Sequence, residues 1–502
     1  MSSIRTKRHR VKRKFKKVNV DDFEDKYGDV LGPYLTELCK MKLNNQRVKQ
    51  MRYSHFQKWL AVNFMVSCSI NGYKFLARIF CLPSPCTISR FLENLKSQPG
   101  IIRQNVQSVK IKVNPTHERD KLCFLLMDEM SIKEGVTYDQ KTGTLYGFCD
   151  TGEQRTSKLS SSVLCIMAVG VVRKWKYPIG FFFTDKVTSS EFITKVVTTS
   201  VAMMEEEGFH VMGFTSDQGS NFEKTFRLLG AKPSAPYVNI DDKRYFVHKD
   251  PPHLIKNARN FLEKNNVHVP GNSGTASWKD VEGLYEIDSK NTLRLCPKLT
   301  DKHIHGLKFA NKMKVKLASQ VLSHSVSSGL LYAKSYNLLG PHVLTTASYC
   351  KRINDIFDAL NSTSCKEVVQ LRRPLHMESS TINFLKESVV WLQKLERNNN
   401  KRVKFISGFI QAINVVLLLN EKLTTDYEVP YLSTRNICQD PLELFFCKVR
   451  HIAKYPTSYD FAKSYGKITA ASLMMAPRSG NCELESDHLD TTLQFITAVS
   501  IY

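Results

Sequence analysis

Acidic residues close a series of apolar runs in the first half of this chain, and carboxylates placed that way can hold a divalent cation. Asp128 ends LCFLLM, Asp150 ends TLYGFC, Asp185 ends IGFFFT, Asp217 ends HVMGFTS and Asp250 follows RYFVHK. A charge at the margin of an apolar core costs on the order of several kcal/mol unless it is paired or neutralised. Taken singly, each of these residues reads more readily as a turn or helix cap than as a functional group. Two that converge from neighbouring strands repel each other and favour a bound divalent cation. Asp128 and Glu129 point to opposite faces of a strand, so only one of them faces a given site, and the shorter Asp holds a metal with less rotamer freedom. Asp217 is followed by QGSN, where Gly219 permits a tight turn and Ser220 or Asn221 suits the cap of the helix NFEKTFRLLG. A third acid, needed to hold two Mg²⁺ around a phosphodiester oxygen, is available in NICQDPLELFFCKVRHI at 436–452. There Asp440–Pro441 reads as a helix start and Glu443 falls in its first turn, although the same acids suit a cap and a dipole complement.

The elements that must position these residues have an α/β texture from 121 to 264. Strand-length apolar runs are separated by turn signals and by one helical stretch, SSEFITKVVTTSVAMMEEEGF, which predicts a mixed sheet covered by helices. Residues 265–425 are helical in pattern, and a further helix-like pattern closes 436–474. Before the sheet, residues 52–105 form two or three short helices broken at SINGYK and CLPSP, with Thr87 or Ser89 as caps. That spacing fits a helix-turn-helix and equally a small three-helix bundle. Residues 21–50 carry a loose helical periodicity at Leu31, Leu35, Leu38 and Leu43.

The 502 residues carry a formal net charge of +25, which predicts a polyanionic partner, with nucleic acid the commonest. Residues 1–18, MSSIRTKRHRVKRKFKKV, suit a nuclear-import signal or a phosphate-binding tail, and lack the apolar segment of a secretory signal. KLERNNNKRVK at 394–404 adds cations that suit phosphate contact or a solvated loop. No run reaches the ~18 apolar residues of a membrane span, and the nearest, residues 408–420, reads as a buried helix. Thirteen irregularly spaced Cys read as reduced thiols, and neither CLPSPC at 81–86 nor HIH at 303–305 has the partners of a zinc site.

The chain resembles the P-element-type DNA transposases and their THAP-domain relatives. The resemblance is carried, in order, by RYSHFQKWLAVNF, LLMDEMSIKEGVTYDQKTGTLYGFCD, FTSDQGSN, DPPHLIKNARN, LTDKHIHGLKFANKMKVKLASQVLSHSV, NDIFDALNS and QDPLELFF, over roughly residues 50–475. It implies an RNase H-like mixed sheet split by a large helical insertion that binds GTP, preceded by a small helix-turn-helix region. It also implies a catalytic, metal-holding triad of Asp128, Asp217 and Glu443, with Asp250, Lys256 and Asp440 as nucleotide contacts. Asn354, Asp358 and Asn361 fall near the expected nucleotide site. The implied organisation is a basic arm at 1–20, a helical region at 21–105, the first part of the nuclease-like domain at 106–264, the insertion at 265–425, the second part at 426–475 and a tail at 476–502.

The implied chemistry is DNA hydrolysis and strand transfer with Mg²⁺ or Mn²⁺, on transposon ends and target DNA, in a nuclear homo-oligomer. Two ions ~3.5–4 Å apart would clamp the attacking and leaving oxygens, with Asp128 bridging them. No GxxxxGK[ST] loop is present, so GTP is expected as a structural ligand rather than fuel. Two departures bear on this expectation. Residues 1–50 hold only His9 and Cys39, not the Cys/His set of a zinc-binding THAP domain, and the loop after QDPLELFFCKVR is shortened to HIAKYPTS. The alternative reading is a catalytically silent, domesticated or truncated transposase acting as a DNA-binding regulator.

Overall fold

The runs marked as strands are buried over their whole length where the sheet is widest: residues 122–127, 163–170 and 177–184 expose almost nothing. That is how strands covered on both faces behave. The computed structural model describes residues 35–42 and 52–474, except positions 69, 93–96, 114–116, 141, 186–187, 272–273, 306–308 and 400–402. The basic arm, the tail, most of 21–50 and the centre of the 394–404 basic run therefore lie outside the described residues.

The larger of two compact units, Pro99–Phe446, is built on a nine-stranded sheet. Its strands are β1 (Gly100–Ile101), β2 (Leu122–Ser131), β5 (Phe148–Asp150), β6 (Arg155–Leu159), β7 (Ser162–Gly170), β8 (Lys176–Thr184), β9 (His210–Ser216), β10 (Tyr237–Ile240) and β11 (Lys243–Lys249). They lie in the order β10-β11-β9-β2-β7-β8-β5-β6, with β1 added on β8. The pairs β2–β7 and β7–β8 are antiparallel, while β2, β9 and β11 run parallel. The segment TLYGFCD, expected as one strand, is two. Its first part is β4 (Thr144–Tyr146), paired with β3 (Thr137–Asp139) outside the main sheet. The break is at Gly147, whose φ of +127° and approach to the Gly135 carbonyl (2.6 Å from where a Cβ would stand) admit no side chain.

Helix α4 (Arg103–Val113) packs on β8, and α5 (Ser190–Glu206) packs on β9 and on α6 (Ser220–Leu228). After β11 comes α7 (Pro251–Lys264), and then the helical insertion: α8 (Trp278–Asp288), α9 (Val315–Val321), α10 (His324–Ser335), α11 (Val343–Leu360), α12 (Ser380–Asn398) and α13 (Lys404–Tyr427). The apolar run at 408–420 is the centre of α13, which by length and composition is apolar enough to cross a membrane. It instead packs on β11 and α7, with most of that stretch buried. The chain then enters α14 (Asp440–Ile452), within which the two units divide.

The smaller unit gathers Met1–Gln98 and Cys447–Tyr502. Helix α1 (His55–Ser67) starts with a capping box, Ser54 and Gln57 each bonding the other's backbone. Helix α2 (Ile70–Phe80) leads through CLPS into α3 (Pro85–Phe91), with Cys81 in the left-handed region at φ 59° and the Tyr73 hydroxyl donating to the Pro83 carbonyl at 2.5 Å. The cap of α3 is Ser84, with Pro85 at the first helical position, so α3 starts earlier than Thr87 or Ser89 would place it. The last helix, α15 (Ser458–Met474), packs on α1 with Phe461, Tyr465 and Ile468 buried. That stretch was expected with the nuclease-like domain, but its apolar stripe is covered in the smaller unit. Cys81 and Cys86 are unbridged, and His303 is buried with its Nε2 3.0 Å from Gln320 Oε1.

Candidate active site

The sheet register brings the acids together. In the parallel pair β2–β9, Leu126 stands opposite Thr215, so two residues further on Asp128 and Asp217 leave adjacent strands side by side. In β9–β11, Ser216 stands opposite Lys249, which puts Asp250 beside Asp217. Three carboxylates thus occur at the same end of three neighbouring parallel strands. By contrast, Asp150 lies on β5 and Asp185 follows β8, both separated from β2 by β7. The Asp150 carboxylate accepts from the Gly152 amide at 2.8 Å, an ordinary turn cap.

Asp128 is half-buried, and its carboxyl is pushed up from an ordinary 3.8 to about 7. Burial is the main cause; Asp217 and Glu443 add repulsion, against the nearby His253 and the Glu129 amide, which donates to Asp128 Oδ1 at 2.8 Å. Asp217 is held by the Gly219 amide, which donates to its Oδ1 at 2.8 Å. A Cβ on Gly219 would stand 2.8 Å from that oxygen, and α6 begins here without a side-chain cap from Ser220 or Asn221. Glu129, on the other face of β2, accepts from the Thr188 hydroxyl at 2.5 Å.

Glu443 reaches the same region from the first turn of α14. Burial raises its pKa, with Asp250 and Asp440 adding to the effect and His253 and Lys256 opposing it. Its Oε1 lies 3.8 Å from His253 Nε2. What fixes α14 is Gln439, which is fully buried: its side chain donates to the Met127 carbonyl at 2.7 Å, and its amide donates to Asp250 Oδ1 at 2.8 Å. One residue therefore ties the helix carrying Glu443 to the strand carrying Asp128.

Asp250 differs from its expected part as a nucleotide contact. It is 1% exposed, caps α7, and places its oxygens on Gln439 and on His253 Nδ1, 2.7 Å away. With its oxygens on these donors, Asp250 fixes His253 and the start of α14 in this structure. Burial opposes the charge on Asp250, but the His253 and Gln439 bonds outweigh it and lower its pKa. For His253, burial is likewise outweighed, by Asp250 and then Asp128, and its pKa is raised. Lys256, three residues further along α7, is 7% exposed; burial lowers its pKa, against the pull of Glu443, Asp217, Asp250 and Asp128. Asp440 is engaged by Arg435 at 2.6–2.8 Å.

Sequence reasoning missed His253 and Gln439. The signal for His253 was present in DPPH, since a residue three after an Asp N-cap can bond back to it. Gln439 gave none, because its role depends on pairing across the fold.

Among the described residues no group of three or more His, Cys, Asp or Glu is already closed around a metal-sized space. The donors nonetheless suit a divalent ion: carboxylate oxygens from three elements, hard ligands for Mg²⁺ or Mn²⁺, with the Asp128 carboxyl pushed up by burial and neighbouring negative charge. A cation supplies what that carboxyl lacks.

In the insertion, the Asp358 carboxylate accepts from Asn354 and Arg372, both at 3.0 Å, and burial raises its pKa. Asn361 Oδ1 is buried and has no hydrogen-bond partner among the described residues.

Comparison with known proteins bears on the family and the fold. Residues 97–230 match the family model "TNP-like, RNase H N-terminal domain", and residues 252–374 match "TNP-like, GTP-binding insertion domain". The chain is 26% identical over 459 residues to the human DNA transposase THAP9, covering 85% of this chain and 49% of that protein. It is 26% identical over 381 residues to the Transposable element P transposase of Drosophila melanogaster, covering 74% of this chain and 47% of that protein. The chain thus spans about half the length of these relatives. The solved Drosophila P element transposase strand transfer complex superposes with a TM-score of 0.72 at 22% identity, covering 90% of this chain and 98% of that one. The fold is an RNase H-like mixed sheet interrupted by a helical insertion.

Proposed function

The chain belongs to the P-element-type transposase family, and on that premise we propose that it cleaves DNA strands and joins them to target DNA in a metal-dependent reaction. The observation that carries this reading is the meeting of Asp128, Asp217 and Glu443 around one region at the end of parallel strands. When bound, a pair of Mg²⁺ or Mn²⁺ ions supplies Lewis-acid activation of the attacking and leaving oxygens of an in-line displacement. Asp128 and Asp217 offer oxygens from adjacent strands, and Glu443 offers its own from α14. Asp128 must lose its proton to ligate, so ion binding would release a proton and weaken as pH falls below about 7. Gln439 sets the separation of β2 and α14, while Asp250 orients His253, whose Nε2 faces the Glu443 carboxylate. Lys256 places a cation beside the acids, where a phosphate would also be drawn. The chemistry needs no covalent enzyme intermediate, since water or a DNA 3′-hydroxyl is the nucleophile.

GTP is the proposed structural ligand of the insertion, with Lys256 toward its phosphates and Asp440 as a further contact to the guanine nucleotide. Asp358 and the unpartnered Asn361 oxygen offer acceptors for a guanine edge. The net charge of +25, the nuclear location suggested by the basic arm and a DNA contact through α2 and α3 belong to the same proposal. The test is nicking of transposon-end DNA by the purified chain with Mg²⁺ or Mn²⁺. Cleavage should vanish in EDTA and in Asp217→Ala; cleavage that survives Asp217→Ala removes that residue from the site. Calorimetry with GTP should show binding that Asp358→Ala weakens.

A further inference from the structure

We propose that the segment 289–302 of the helical insertion, a loop that runs into the short helix Asp301–Ile304, is a duplex-DNA contact, with Leu293 seated as an apolar wedge in the minor groove and Lys290, Lys298 and Lys302 on flanking phosphates. This rests on the reading of the chain as a DNA-acting enzyme but uses none of the cleavage residues. Leu293 is 91% exposed. A lone exposed leucine is ordinary; what sets this one apart is how firmly its loop is held.

Asp288, the last residue of α8, is completely buried. Its Oδ1 accepts from the Leu295 amide at 2.6 Å, and its Oδ2 accepts from the Cys296 amide at 3.1 Å and from Arg294 Nε at 3.2 Å. Arg294 Nη2 in turn donates to the Leu299 carbonyl at 2.6 Å, and the Arg294 guanidinium lies over the Tyr285 ring. The far side is closed by the Leu299 amide on the Cys296 carbonyl. A buried carboxylate thus organises the backbone immediately after Leu293, and the leucine is presented on a preformed shape. Wedges need this, because an apolar side chain on a loose loop would lose its gain to ordering.

The charge around the tip selects the occupant. Arg294 is neutralised by Asp288, and Asp301, the only acid in the loop, accepts from the Tyr285 hydroxyl at 2.9 Å. Lys290, Lys298 and Lys302 are exposed and make no ion pair among the described residues. Uncompensated cations before and after an apolar tip in the chain match a groove walled by phosphates, and match a neutral protein cleft poorly.

The test uses the full chain in EDTA, so that cleavage chemistry contributes nothing, and a fluorescent duplex of arbitrary sequence. Each phosphate contact contributes about 0.9 to the slope of log affinity against log salt. The variant K290A/K298A/K302A should therefore bind more weakly and lose about 2.7 from that slope. Leu293→Ala should keep the slope, weaken binding several-fold and reduce the bend reported by energy transfer between the duplex ends. All four side chains are exposed, so the thermal melts should match wild type. An unchanged slope and affinity in the triple variant overturn the proposal, as does a Leu293→Ala protein that differs from wild type only in self-association. Wild-type protein that fails to nick but shows the predicted slope change would sink the cleavage reading and leave this contact standing.

Discussion

Replacing Asp128 by Asn should stabilise the ion-free protein at pH 8 while abolishing cleavage. Asp128 titrates near 7 in the folded protein against an ordinary 3.8, so the folded state binds its proton more tightly than the unfolded chain does. A carboxyl raised in this way costs stability as pH climbs from about 4 to about 7, and the full cost is present above 7. The shift of about 3 units, at about 1.36 kcal/mol each, sets a ceiling near 4 kcal/mol. Because Asp128 is only half-buried, water and local relaxation reduce the expected effect to roughly 1–3 kcal/mol. Asn removes the charge and keeps an oxygen for the Glu129 amide, so the substitution isolates the electrostatic part. Melts in EDTA should show the variant above wild type by roughly 1–4 °C at pH 8, at about 1.4 °C per kcal/mol for a unit the size of Pro99–Phe446, with the gap closing toward pH 4. Adding Mg²⁺ should raise wild type and leave the variant unmoved. Parallel pH profiles for the two proteins in EDTA would refute the claim that Asp128 sits in an environment short of positive charge.

Other consequences follow from the same network. His253→Ala leaves the buried Asp250 carboxylate without its cationic partner and should cost about 3–5 kcal/mol; because the His253 pKa is raised, wild type should also lose stability as pH rises through that value, a loss absent from the variant. Gln439→Ala breaks the tie to the Met127 carbonyl and should cost about 1–3 kcal/mol, with turnover falling while DNA affinity in EDTA holds. Gly219→Ala pushes a methyl against Asp217 Oδ1 and should reduce Mn²⁺ affinity about tenfold, roughly 1.4 kcal/mol, measured by titration. Arg435→Ala removes the guanidinium that holds the Asp440 carboxylate in place and should weaken GTP binding, as calorimetry would show.

The strand-end acids were legible because an apolar run that stops at a carboxylate is a local pattern. Asp128 and Asp217 could be singled out from Asp150 and Asp185 only through the resemblance, since which strands become neighbours is a property of the sheet order. Glu443 was legible as a first-turn acid after Asp440–Pro441, but the pin that aims it, Gln439 on Met127, joins residues 312 apart in the chain. The partners of Asp250 were not legible because an Asp before Pro-Pro reads the same whether its oxygens face a ligand or the protein; here they face His253 and Gln439. TLYGFCD was read as one strand because Gly147 gives no sign of its left-handed backbone until Gly135 crowds it. The joining of α15 to the N-terminal helices lay beyond any local pattern, since an apolar stripe does not name the face that covers it.

The most direct measurement is Mn²⁺ binding to the full chain, followed by paramagnetic resonance, in wild type and in Asp128→Ala, Asp217→Ala and Glu443→Ala. If the carboxylates of β2, β9 and α14 share an ion site, each substitution should weaken binding at least tenfold, about 1.4 kcal/mol, despite their separation in the sequence. Glu443→Ala with wild-type Mn²⁺ affinity would contradict the account, because the helix that carries it would then stand outside the site.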